Sequence, residues 1–159
     1  MILDSATVQA NFERFVERIV QAETVFYLSN ESGVANSVSN EDDEVRILMF
    51  WSDRAYANRA KKAFSEEFTA TEMTLFNFLY RWLPGMSGDG VLAGLNWNGA
   101  LVGREVDPFE LREIVEERMP KSLLEAYEAK YHELKQLDTP ISERFSAMPS
   151  ASPVSRRWP

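Results

Sequence analysis

Between residues 5 and 22, Val8, Phe12, Phe15, Val16, Ile19 and Val20 recur at three- and four-residue spacing, with Glu13, Arg14, Glu17 and Arg18 between them. That period predicts an amphipathic helix. The pattern then shortens. "TVFYLS" (24–29), "GVANSVS" (33–39) and "VRILMFW" (45–51) read as strands, and the short polar connectors "NES" and "NEDDE" suit an antiparallel meander. The third strand is apolar at nearly every position, which predicts a central place with both faces covered.

Helical spacing returns over 53–68, where Tyr56, Ala60, Phe64 and Phe68 form the inward stripe and Ser52 or Asp53 can cap. A further helix is predicted over 75–83. Thr74 is its N-cap, Leu75, Phe78, Leu79 and Trp82 are one face, and Pro84 and Gly85 stop it. Over 108–119 the start signal is strong: Asp107 to cap, Pro108 at the first helical position, and Glu110 placed for a capping box. Pro120 ends that helix, and Ser122 with Glu125 suggests a second box opening a helix over 122–137. There Leu124, Tyr127, Tyr131 and Leu134 share a face over about two heptads, too few for a coiled coil. The helix is expected to pack back on the domain, with a homodimer contact as the rival use.

The stretch "WLPGMSGDGVLAGLNWNGALVG" (82–103) holds six of the seven glycines. It lacks the phosphate-loop pattern GxxxxGK[ST], the dinucleotide pattern GxGxxG and the nucleophile elbow GxSxG. No helix start follows its glycines, as a phosphate site would need. Turn chemistry accounts for more of it. Asn98-Gly99 signals a two-residue hairpin joining strands 91–97 and 100–106, with "SGDG" as a turn before them. That register places Gly94 opposite Gly103, leaving a notch where something can approach the backbone closely. A side chain of the same domain is the expected occupant, and a ligand the rival one.

The elements together predict an α+β, sandwich-like fold with a mostly antiparallel sheet of about five strands. Residues 1–137 form one globular domain, and 138–159 a flexible Pro/Ser-rich tail. A chain of 159 residues is about one domain. The formal charge of −8 works against a dedicated nucleic-acid binder. Arg54, Arg59, Lys61 and Lys62 are a local exception, but at 100° per residue they spread around a helix. There is no Cys and a single histidine, His132, so the usual zinc and iron ligands are lacking and no cofactor is indicated. "EDDE" (41–44) lacks calcium-loop spacing. No apolar run reaches the roughly 18 residues of a membrane helix, and "MILDSATVQANFERF" lacks signal-peptide character. These features predict a cytoplasmic protein.

Four segments in matching order carry a family resemblance: "NFERFVERIVQAETVFYL", "VRILMFWSDRAYA", "LFNFLYRWLPGMSGDG" and "EVDPFELREIV". Over about residues 10–120 the chain resembles the bacterial domain-of-unknown-function family 2750, most specifically in the aromatic helix ending "WLPG". It departs from the family at "MFWSD", where members tend to carry prolines around the Trp, and at "LNWN", where they tend to carry an aromatic-Pro pair. The resemblance implies a small, mostly antiparallel α/β domain, and no activity, cofactor or catalytic residue.

Three functional readings follow. The leading one is a non-enzymatic module binding another protein through Trp51, Trp82 and the adjoining Leu83 and Pro84. The second is a small-molecule-binding or hydrolytic domain using the hairpin face around Gly94 and Gly103, with Asp89 or Arg104 as its polar group. The third is a nucleic-acid accessory role for the basic residues of 54–62. The residues establish no enzyme, and the reading leans against one.

Overall fold

A computed structural model describes residues 4–136, so the flexible tail expected over 138–159 lies outside the described residues. Helix α1 (Ser5–Ala22) opens on Asp4, whose carboxylate accepts from the Thr7 N–H at 2.7 Å, and buries Phe12, Phe15, Val16 and Ile19 as its periodicity predicts. Then come strands β1 (Thr24–Asn30), β2 (Gly33–Val34), β3 (Asn36–Val38) and β4 (Arg46–Phe50), followed by helix α2 (Arg54–Ala60). Strand β5 (Thr69–Thr74) leads into a helical stretch of three parts: α3 (Leu75–Asn77), a π-helical segment (Phe78–Trp82) and α4 (Leu83–Gly88). Strands β6 (Leu92–Leu95) and β7 (Arg104–Val106) and helices α5 (Pro108–Arg118) and α6 (Lys121–Gln136) complete the order.

The fold is α+β, with strands in two sheets rather than one: β2-β1-β5, and β3-β4-β6-β7. The expected 33–39 strand breaks at Ala35. Its first half pairs with β1 and its second with β4, so one segment serves both sheets. Phe26 and Trp51 exchange both backbone hydrogen bonds at 2.9 Å, which joins the sheets a second time. Pairing is antiparallel except between β4 and β6, which run parallel.

The central place predicted for β4 is observed. Leu48 and Phe50 enter a core shared with α1, α5 and α6, while Ile47, Met49 and the following Trp51 enter a second core with Ala57, Ala60 and Trp97. Alternation along one strand thus feeds two hydrophobic layers. Helix α6 packs back as expected: Tyr127 is buried, with its ring centroid 5.5 Å from that of Phe76, and Tyr131 stacks on Tyr80 at 5.1 Å.

Four local expectations are corrected. The helix expected over 53–68 ends at Ala60, apart from one tight turn at Lys61–Ala63: Phe64 is already extended, its ring packs edge-on against Phe68 at 5.3 Å, and the chain then enters β5, paired with β1 over six residues. Asp53 holds the N-cap position of α2 without a cap hydrogen bond, its carboxylate being taken by Arg18 at 2.6 Å. Pro84 and Gly85 do not stop their helix. The π-helical segment gives Leu83 N–H the Phe78 carbonyl, and Pro84 then falls at the opening of α4, where its missing N–H costs little. The stop comes at Gly90 (φ 70), where Val91 N–H donates to Met86 O at 3.0 Å and Gly90 N–H to Ser87 O at 3.2 Å, a Schellman closure. Helix α6 starts at Lys121, directly after Pro120, so Ser122 lies inside its first turn and not at a cap. Thr74 and Asp107 do cap, accepting from Asn77 N–H and from Phe109 and Glu110 N–H.

The largest correction is the hairpin register. Gly94 pairs with Glu105, two positions from the predicted Gly103. A two-residue Asn-Gly turn needs positive φ at both residues. Here the positive-φ residues of the connection are Asn96 (φ 50) and Leu101 (φ 57). Asn98 instead closes the loop with its side chain, accepting from Ala100 N–H at 2.9 Å and Val102 N–H at 3.2 Å. The wider loop lets the Trp97 indole fold back over the strands.

Candidate functional site

The glycine notch is occupied by the domain's own Trp97. A Cβ placed on Gly94 would lie 2.7 Å from the indole Cε2 and Nε1, and one on Gly103 2.6 Å from its Cδ1. The indole N–H donates to Arg104 O at 3.0 Å, and the Trp97 carbonyl accepts from Trp51 Nε1 at 2.9 Å. Arg104 is likewise engaged, with its guanidinium 4.2 Å from the centroid of the Phe12 ring and donating to Gln9 Oε1 at 3.0 Å. Asp89 lies elsewhere, at the C-cap of α4. Trp51 and Trp82 are core residues, 0% and 3% exposed. The Trp82 ring packs against Tyr27 and Phe50, and its buried N–H has no acceptor among the described residues. The six residues singled out in sequence therefore do not form one surface.

A different set converges. A cleft of about 320 Å³ opens between α1, α2 and the loop leading to β7. Helix α1 contributes Asn11 and Arg14, three residues apart and so on one face. Helix α2 contributes Tyr56, Arg59 and Ala60, and the loop Asn96, Trp97, Asn98 and Gly99. Asn96 anchors the floor from its left-handed backbone. Its side-chain oxygen accepts from Ser52 N–H at 2.9 Å and its amide donates to Ser52 Oγ at 3.1 Å. Asparagine tolerates that conformation better than other side chains do.

The cleft is cationic. Arg14 donates to the Tyr56 hydroxyl at 3.2 Å, while the Arg59 guanidinium lies 4.9 Å from the centre of the same ring. Among the described residues neither arginine has a carboxylate within 4 Å, and no lining residue is acidic. Two of the nearby acids are committed to other arginines: Asp53 to Arg18 at 2.6 Å, and Glu13 to Arg118 at 2.8 Å. The Arg118 hydrogen bond holds the Glu13 carboxyl below the usual carboxylate range. Of the basic residues over 54–62, only Arg59 lines the cleft. Arg54 turns to the Ala70 carbonyl at 2.9 Å and to the Phe26 ring.

Sequence reasoning missed Asn11, Arg14, Asn96 and Asn98 as site residues. Arg14 reads as filler on the wet side of a helix, and nothing local links it to Arg59, 45 positions later. His132 is exposed on α6, away from the cleft. Among the described residues no group of three or more His, Cys, Asp or Glu is placed to hold a metal ion, and no helix is long and apolar enough to cross a membrane.

Compared with known families, residues 12–114 match the model described as "Protein of unknown function (DUF2750)". The match includes Arg14, Tyr56, Arg59 and the loop at 96–99, and stops before α6. No curated protein and no solved structure matches the chain.

Proposed function

The chain belongs to the DUF2750 family, whose description carries no activity, and we propose that its cleft binds a small anionic ligand. One observation carries this reading: two guanidiniums from separate helices meet on Tyr56 with no carboxylate within 4 Å among the described residues, in a chain with 25 acidic and 17 basic residues. Where acids are in excess, an arginine pair left uncompensated beside a concave surface is suited to an incoming anion. The volume falls at the lower end of small-molecule sites. Among the described residues the lining has no Asp, Glu, His, Lys or Ser, and Tyr56 presents its one hydroxyl.

A protein-interaction module built on Trp51 and Trp82 has less support, because both rings are buried. Among the described residues the exposed large apolar side chains, Val38 and Phe109, sit on separate elements, β3 and α5.

Thermal unfolding with millimolar phosphate, sulfate, acetate and citrate, against chloride at constant ionic strength, tests the reading. A ligand at one hundred times its Kd adds about 2.7 kcal/mol to native-state stability. The wild type is expected to gain melting temperature with at least one anion, and Arg14→Gln/Arg59→Gln with none. Equal gains in both proteins would remove the cleft from consideration.

A further inference from the structure

Resting on the reading of the cleft as an anion site, we propose that its ligand is a small phosphomonoester, held as the dianion by Arg14, Arg59 and Tyr56. Charge count is the first ground. Among the described residues the lining supplies two positive side chains and no negative one. A carboxylate or a phosphodiester answers one guanidinium and leaves the other uncompensated, whereas a monoester dianion answers both.

Donor count is the second ground. Arg14 already fills an acceptor position on the Tyr56 oxygen, so the hydroxyl hydrogen, which has no acceptor among the described residues, is what Tyr56 offers a ligand. Two guanidinium forks and one hydroxyl give three donor groups, and a terminal phosphate presents three acceptor oxygens. Guanidinium also fits phosphate geometry in two-point fashion, which a point charge does not. Size is the third ground, since about 320 Å³ matches the volume of a small ester.

The second ionisation of a phosphomonoester, near pH 6, provides a readout that a structural role would not move. The charged and titratable groups facing the cleft are Arg14 and Arg59, with Tyr56. Glu13, Glu17 and Arg18 flank them on α1, Asp53 and Arg54 at α2, and the 96–103 loop carries no charge. Inorganic sulfate keeps its two charges across pH 5 to 7.5, so an affinity change shared with sulfate reports the protein, and one confined to the phosphomonoester reports the ligand.

The experiment is calorimetric titration of the full chain with methyl phosphate, methyl sulfate and inorganic sulfate at pH 5.0 and 7.5. Methyl phosphate is expected to bind about tenfold more tightly at pH 7.5, as its dianion fraction rises. Methyl sulfate, a monoanion throughout, stays weak, and inorganic sulfate, a dianion throughout, binds equally at both. Arg14→Gln and Arg59→Gln each weaken methyl phosphate by about tenfold or more. Both side chains are exposed, and circular dichroism checks that the variants fold. Methyl sulfate binding as tightly as methyl phosphate at pH 7.5 would overturn the dianion proposal and leave the anion site standing. Binding of none of the three, or full binding by both variants, would overturn the two together.

Discussion

Gly94→Ala places one methyl group where the Trp97 indole lies, and its cost measures how firmly that ring is fixed. The new Cβ would stand 2.7 Å from two indole atoms and 2.9 Å from Ile47 Cγ2, well inside ordinary contact distance. Trp97 is 1% exposed, and its N–H is committed to Arg104 O, so the ring cannot step aside freely. Overpacking of this kind costs about 1–3 kcal/mol. Tilting the indole away would weaken a hydrogen bond worth about 1 kcal/mol. Alanine gains about 0.5–1 kcal/mol over glycine within a strand, which offsets part of this. The net expectation is a loss of about 2 kcal/mol, read from urea unfolding followed by far-UV circular dichroism. In a Trp97→Leu background the clash with the indole is gone, so the same substitution should cost about 1–2 kcal/mol less, a coupling within the range for residues in contact. A Gly94→Ala protein within 0.5 kcal/mol of wild type, or an equal loss in both backgrounds, would refute the placement of the indole.

Three further outcomes are expected. Trp51→Phe should cost at least about 1 kcal/mol more than Trp82→Phe in the same unfolding assay. The first strips the Trp97 carbonyl of its donor, while the second removes an N–H that has no partner. Asp107→Ala removes the acceptor for Phe109 and Glu110 N–H and should lower stability by about 1 kcal/mol, measured as a shift in urea midpoint at constant slope. Burial, and then hydrogen bonds to Glu116 and Glu23, push the Tyr80 and Tyr127 hydroxyls above their ordinary value near 10. Their native state therefore holds protons that the unfolded chain releases. Stability is intact below pH 10 and falls above it, by up to about 1.4 kcal/mol per pH unit for each tyrosine. Tyr80→Phe and Tyr127→Phe should each flatten that alkaline slope, and an unchanged slope would count against both contacts.

Strong local signals were legible in the sequence. The α1 stripe, the buried β4 segment, the Thr74 and Asp107 caps and the inward face of α6 each rest on interactions within a few residues or on plain periodicity. Less was legible wherever long-range contact overrode local preference. Pairing with β1 made a strand of Thr69–Thr74, and a π-helical segment carried a helix through Pro84. Asn98-Gly99 signals a tight turn, yet Trp97 gains more by burying its indole across Gly94 and Gly103, and the register moves by two residues to allow it. The cleft was the least legible part. Arg14, Arg59 and Asn96 belong to three segments whose meeting depends on where α1 and α2 pack, and each residue reads locally as ordinary surface or loop.

The most direct test of the anion-binding cleft is a titration of 15N-labelled protein with methyl phosphate at pH 7, following the arginine Nε–Hε resonances. Arg14 and Arg59 should shift together and saturate along one binding curve, while Arg112 and Arg118, paired with Glu116 and Glu13, stay in place. Even movement across all arginines, or saturation at sites outside the cleft, would contradict the account.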